Sequence, residues 1–237
     1  MSTQQILLGA GAIPTKRYVD DVFATTLYEG DQNNNHHIQN DVDLTAGGLV
    51  WVKDRESSEN HILVDSKWSM NSSRWDYLSS NQTSQAYSGP VLNSFETDGF
   101  KLNSNWYANQ DGRDYASWSF KRSKGFFDVV KFEEATTGDQ TISHQLGCMP
   151  GMIIFKRYDA TGSWYVWHHT EYNEHAVLDS TQAWSESSQR VIGNVTSTSF
   201  NVKFGNIGAG IGADYVAYVF AGSESTDSSS ISLKFSS

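Results

Sequence analysis

Cysteine is nearly absent from this chain: Cys148 stands alone among 237 residues, so no internal disulfide can staple the fold. Its side chain reads as a small buried residue of a strand or turn. No run of 18 apolar residues occurs, and no charged-then-apolar leader opens the sequence. Neither a membrane span nor entry to a secretory route by a visible signal is expected. Positive charge is also scarce, with 17 lysines and arginines against 27 aspartates and glutamates and a formal net charge of −10. The basic residues do not gather into a stripe, which argues against nucleic acid as a partner. No convincing helical stripe of apolar residues is found. Catalytic spacings are missing too, since there is neither a GxSxG elbow nor an HExxH pair.

What is plentiful is aromatic: 8 Trp, 11 Tyr and 12 Phe, set among abundant Ser and Asn. This mixture fits a β-rich body with an extracellular type of surface. Residues 47–55, GGLVWVKDR, give the clearest element. A small turn ends in Gly48, then Leu49, Val50, Trp51 and Val52 run apolar, and Lys53 follows. A short apolar run rich in β-branched and aromatic residues, bounded by turn residues, predicts a strand buried on both faces. The lysine places a charge where the strand is expected to reach solvent.

The same pattern returns at residues 150–158, PGMIIFKRY, where Gly151 and Lys156 take the places of Gly48 and Lys53. Other segments repeat in the same order. Residues 23–28 align with 127–132, Ile38 with Ile142, 61–65 with 164–168, 98–102 with 198–202, and 114–120 with 214–220. The offset drifts only from 104 to 103 to 100, so few insertions separate the copies. The chain is a tandem duplication of units of about a hundred residues, each the size of an ordinary domain. A chain of this length can bury one or two cores. Strand-like segments divided by Gly, Asn, Asp and Ser predict an all-β fold: two tandem antiparallel β-sandwich units of jelly-roll, concanavalin-like type. Residues 18–122 form the first and 123–222 the second. The short basic junction at 121–125 favours close packing of the two, although halves of one larger double sheet are an alternative.

Two segments lie outside the repeat. Residues 1–17 carry Ile6, Leu7 and Leu8, but Gly9, Gly11 and Pro14 break any regular element. This arm is expected to dock on a partner, with a disordered terminus as the bland alternative. Residues 223–237 alternate over 231–235 like one more edge strand, for this unit or for a neighbouring subunit.

Candidate sites are few. Between residues 57 and 94, Trp68, Trp75, Tyr77 and Tyr87 stand among Ser and Asn. Aromatics in polar loops serve glycan or protein contact, and they also plug the open ends of sandwiches. The polar run 31–37 lacks calcium-loop spacing and reads as a hairpin loop. His169, Glu171 and His175 converge on a metal only if the chain turns there, and structural roles are favoured. The glycines of GNIGAGIG, residues 205–212, lack the Lys-Ser/Thr pair of a phosphate loop. Asp114 and Asp214 sit at equivalent strand starts, which favours a shared turn role over a glycosidase dyad. No catalytic residue, cofactor or metal is assigned.

The set YVDDVFATTLYEG, GGLVWVKDR, FETDGFKL, DYASWSFKR and GFFDVVKF, with TISHQLGCMPGMIIFKR and DYVAYVFAG in the second copy, resembles repeated β-sandwich modules. Such modules occur in tail-fibre and other virion proteins of phages of cyanobacteria and marine bacteria. The resemblance covers residues 18–222 and implies a concanavalin-like sandwich and a place on the phage particle, with no catalytic residue. A single pair of units favours a small attached part over a long fibre: a tail-tip or fibre module, an adaptor or a capsid decoration protein. Expected partners are other virion proteins, in a symmetric homo-oligomer. The alternative is a receptor-binding, lectin-like module contacting host cell-surface glycans. A glycan-cleaving enzyme ranks last.

Overall fold

A computed structural model describes residues 18–67, 76–185, 190–207 and 210–222. The first unit contributes β1 (Phe23–Glu29), β2 (His36–Gln39), β3 (Gly48–Asp54), β4 (Ile62–Asp65), β5 (Leu92–Glu96), β6 (Gly99–Leu102) and β7 (Asp114–Lys121). The second contributes β8 (Phe127–Glu133), β9 (Asp139–Ser143), β10 (Pro150–Arg157), β11 (Trp164–His168), β12 (Ala176–Val177), β13 (Ile192–Gly193), β14 (Ser199–Lys203) and β15 (Asp214–Ala221). The fold is all-β, with antiparallel sheets in two groups.

Each group holds one large and one small sheet. The large sheets run β1-β7-β3-β4 and β8-β15-β10-β11-β12, and the small ones β2-β6-β5 and β9-β14-β13. The two copies therefore share one strand order, with β12 added at one edge of the second. The register matches between the copies apart from local bulges at Gly151 and Asn93. Leu49 pairs with Phe120 and Asp65 in the first unit, as Met152 pairs with Phe220 and His168 in the second. Ile38 opposes Phe100, and Ile142 opposes Phe200. These are the partners that the offsets of 104, 103 and 100 predict. The two strand-opening glycines have one physical cause, a close approach of the last long strand. A side chain on Gly48 would run into the carbonyl oxygen of Phe120, and one on Gly151 into the backbone of Gly222.

Three apolar layers follow from alternation along these strands. Val50, Val52, Ile62 and Val64 face Ile38, Leu92, Phe100 and Leu102 and close the first sandwich. Ile153, Phe155, Trp167, Ala217 and Val219 face Ile142, Ile192, Phe200 and Val202 and close the second. The opposite faces of the large sheets meet each other. Leu49, Leu63 and Leu78 pack with Phe127, Val129, Ile154, Trp164, Val216 and Tyr218. The order of layers is small sheet, large sheet, large sheet, small sheet. Both large sheets are thus covered on two sides, which is why their central strands read as unbroken apolar runs.

Polar contacts tie this seam. Residues 78–86 of the first unit lie along the second: Trp164 Nε1 donates to Ser79 O at 2.9 Å, Gly162 N to Thr83 O at 2.9 Å, and Ala86 N to Tyr158 O at 2.8 Å. Tyr218 donates its hydroxyl to the buried Asp65 carboxylate at 2.9 Å. The expectation for the strand-closing lysines needs correction at one of them. Lys53, half-buried, donates to Asp54 O and Ser57 O in its own hairpin loop. Lys156 is fully buried, donating to Gly162 O and, at 2.9 Å, to Thr83 O of the first unit. Burial pushes its ammonium down to about 8.

Candidate functional site

Of the residues singled out in the sequence, Ile6, Leu7, Leu8, Trp68 and Trp75 lie outside the described residues. Tyr77 and Tyr87 are brought together. Their backbones exchange hydrogen bonds of 3.0 and 2.9 Å, and their rings stack with centroids 5.2 Å apart. Tyr77 is buried against the first core and Tyr87 packs beside it. A third ring, Tyr107, lies 5.9 Å from Tyr77. Burial, then the neighbouring tyrosines, raises the Tyr77 phenol to about 12.

Tyr107 leads outward to a residue the sequence reading passed over. Trp106 is 63% exposed and Tyr107 44% exposed, side by side on the loop joining β6 to β7. That loop is firmly held. Asn109, fully buried, accepts from Asp31 N at 3.1 Å and lies 2.7 Å from His36 Nδ1. Its amide nitrogen donates to Asn33 O at 3.0 Å and Asn103 O at 3.1 Å. Asn105 accepts from Tyr107 N at 2.8 Å, and Tyr28 donates its hydroxyl to Ala108 O at 2.7 Å. The polar run 31–37 thus buttresses the aromatic loop, and the carboxylate of Asp31 lies 3.1 Å from His36 Nδ1. A chain of amides flanks it, in which Asn93 donates to Asn34 at 2.7 Å and to Asn35 at 3.0 Å and accepts from Asn103 at 2.8 Å.

A family model described as a domain of unknown function, DUF7483, matches residues 19–230. The chain belongs to that family. The matched span takes in both sandwiches, so the DUF7483 unit is the duplicated pair and not one copy of it. Neither a search of the curated proteins nor one of the solved structures finds a match.

Elsewhere the DUF7483 fold offers less. Among the described residues, no group of three or more His, Cys, Asp or Glu is placed to hold a metal ion. His169 approaches Gly151 O at 3.3 Å, while buried His175 meets Ser185 Oγ at 2.5 Å. Asp114 and Asp214 open equivalent strands in different units and do equivalent work: their carbonyls accept from Arg55 N and Tyr158 N, each at 2.9 Å. An open groove of about 470 Å³ beside the seam is lined by Leu44, Thr45, Ser66, Lys67, Phe95 and Arg122. The Arg122 guanidinium there is committed to Asp128 and Gln145.

Proposed function

We propose that the chain is a non-enzymatic structural component of a phage virion, docked through residues 1–17 and displaying its two sandwiches outward. A tail-fibre or tail-tip module, an adaptor and a capsid decoration protein all fit this role. The observation that carries the reading is the seam. Two copies of a module whose motifs resemble those of virion proteins are joined by a buried apolar layer and by cross-seam hydrogen bonds. A part that must hold an orientation under load needs such a joint, because modules on a flexible linker would swing.

Docking through Ile6, Leu7 and Leu8 would contribute a few kcal/mol per subunit at about 25 cal/mol per Å² of apolar surface. Repetition in a symmetric assembly would multiply it. The test compares the full chain with one lacking residues 1–17 during particle assembly, read by mass spectrometry of purified particles. The full chain is expected in the particles and the shortened chain is expected to be lost. Undiminished incorporation of the shortened chain would contradict docking by the arm, and absence of both would contradict the virion reading.

A further inference from the structure

We infer that the β6–β7 loop of the first sandwich is a binding site for a neutral saccharide, with Trp106 and Tyr107 as the stacking platform. Four observations converge on it. Trp106 and Tyr107, 63% and 44% exposed and adjacent in the chain, open two neighbouring aromatic side chains to solvent as one patch. They are not the tip of a loose loop. Asn109 fills four hydrogen-bonding roles from a fully buried position, and Asn105 and Tyr28 hold the backbone just before it, at Tyr107 and Ala108. A platform fixed in advance loses little conformational freedom when a ligand arrives.

The third observation is the flank. Asn34, Asn35, Asn93 and Asn103 form a chain of primary amides beside the loop, tied to one another. Each amide both donates and accepts, as every sugar hydroxyl does. The indole face, with its negative quadrupole, suits the polarised C–H groups on the apolar face of a pyranose ring. The charges left near the platform are carboxylates: Arg113 is engaged with buried Asp54 at 2.9 Å, exposed Asp111 lies on the loop itself, and Asp31 lies in the run that buttresses it. A neutral ligand therefore fits better than a sialylated or sulfated one.

The fourth is internal to the molecule. At the matching offset of 100, the second sandwich places Asn206, the last residue of a 3-10 turn from Phe204 to Asn206, and Ile207, which follows it and leads into glycine-rich sequence. The same frame builds this platform in one copy and omits it in the other, so strand geometry does not require the aromatics. This site is independent of the docking arm, and its test needs no particle.

The experiment prints the full chain against an array of neutral and acidic oligosaccharides, then titrates the strongest binder by calorimetry. Binding is expected on neutral oligosaccharides at micromolar to millimolar concentration. It should change less than about twofold between low and high salt, because no ion pair is screened. Trp106→Ala should lower affinity tenfold or more and Trp106→Phe less, while Trp184→Ala, an exposed tryptophan of the second sandwich, should leave it unchanged. As a check that needs no loss-of-function variant, fluorotryptophan in the native chain should show the Trp106 resonance, assigned with Trp106→Phe, shifting on addition of the same oligosaccharide. Binding only to acidic sugars, no binding at millimolar concentration, or binding untouched by Trp106→Ala with an unmoved resonance would each overturn the proposal.

Discussion

The two sandwiches keep one strand order and one pairing register, yet they differ inside and at their tips. On the last long strand, Tyr115 and Tyr215 take the same place, stacked on Tyr28 at 5.2 Å and on Phe132 at 5.5 Å. Two residues on, the first sandwich puts Ser117 and Ser119 into its interior, while the second uses Ala217 and Val219. The buried hydroxyl of Ser119 accepts from Asn40 at 2.8 Å, so the polar interior is served by a side chain from the β2–β3 loop. At the tips, Trp106 and Tyr107 are answered by Asn206 and Ile207. The comparison separates what the frame demands from what it permits. Backbone pairing and the face turned to the seam are retained, and the remaining positions have diverged toward different uses.

The sharpest way to break that comparison is at position pairs that the register makes equivalent. Trp164, fully buried in the seam, corresponds to His61, half-exposed and accepting from Trp51 Nε1 at 2.9 Å. Trp164→Ala is expected to cost about 3–5 kcal/mol, the usual range for emptying a core aromatic site. His61→Ala should cost about 1 kcal/mol, the net worth of one hydrogen bond. Equal losses in urea titrations of the two variants would show that the seam is not the core described. Tyr218 corresponds to Trp118 in the same way. Tyr218→Phe, which deprives the buried Asp65 carboxylate of its cross-seam donor, should cost roughly 1–3 kcal/mol.

Lys156 supplies a smaller, pH-dependent effect. Its folded-state value of about 8 lies below the 10.5 of a free lysine, so between those two values the unfolded chain binds more protons than the folded one. Stability attributable to this residue must therefore rise with pH across that window, by about 1 kcal/mol per pH unit. The native chain minus Lys156→Met, followed by thermal melts from pH 7.5 to 9.5, isolates the slope. A difference that falls with pH would contradict the burial of a protonated amine at the seam. The least effect belongs to Trp106→Ala, which should shift stability by no more than about 0.5 kcal/mol, as for other exposed positions. A loss of several kcal/mol would make Trp106 a structural plug instead of a platform.

Much of the frame was legible in the residues themselves. Apolar runs at Leu49–Val52 and Met152–Phe155 implied cover on both faces, and the drifting offset implied the shared register. What local sequence does not encode is which surface supplies the second cover. Leu49 and Ile154 look like ordinary core residues until the two large sheets are seen to meet. Lys156 was misread for the same reason: the strap at 78–86 that encloses it comes from the other sandwich, seventy residues earlier. Tyr77 and Tyr87 were visible as aromatics in a polar stretch, but their stacking on each other depends on a tight backbone pairing. Trp106 and Tyr107 carried a usable signal, two adjacent aromatics between asparagines where the second copy has none, and a comparison of the copies loop by loop would have found them.

The two sandwiches form one cooperative body through the layer of Leu49, Leu63, Ile154, Trp164 and Tyr218. Differential scanning calorimetry of the whole chain tests this most directly. A single endotherm whose calorimetric and van't Hoff enthalpies agree is expected. Two resolved transitions, or a calorimetric enthalpy about twice the van't Hoff value, would mean two independently melting sandwiches and would contradict it.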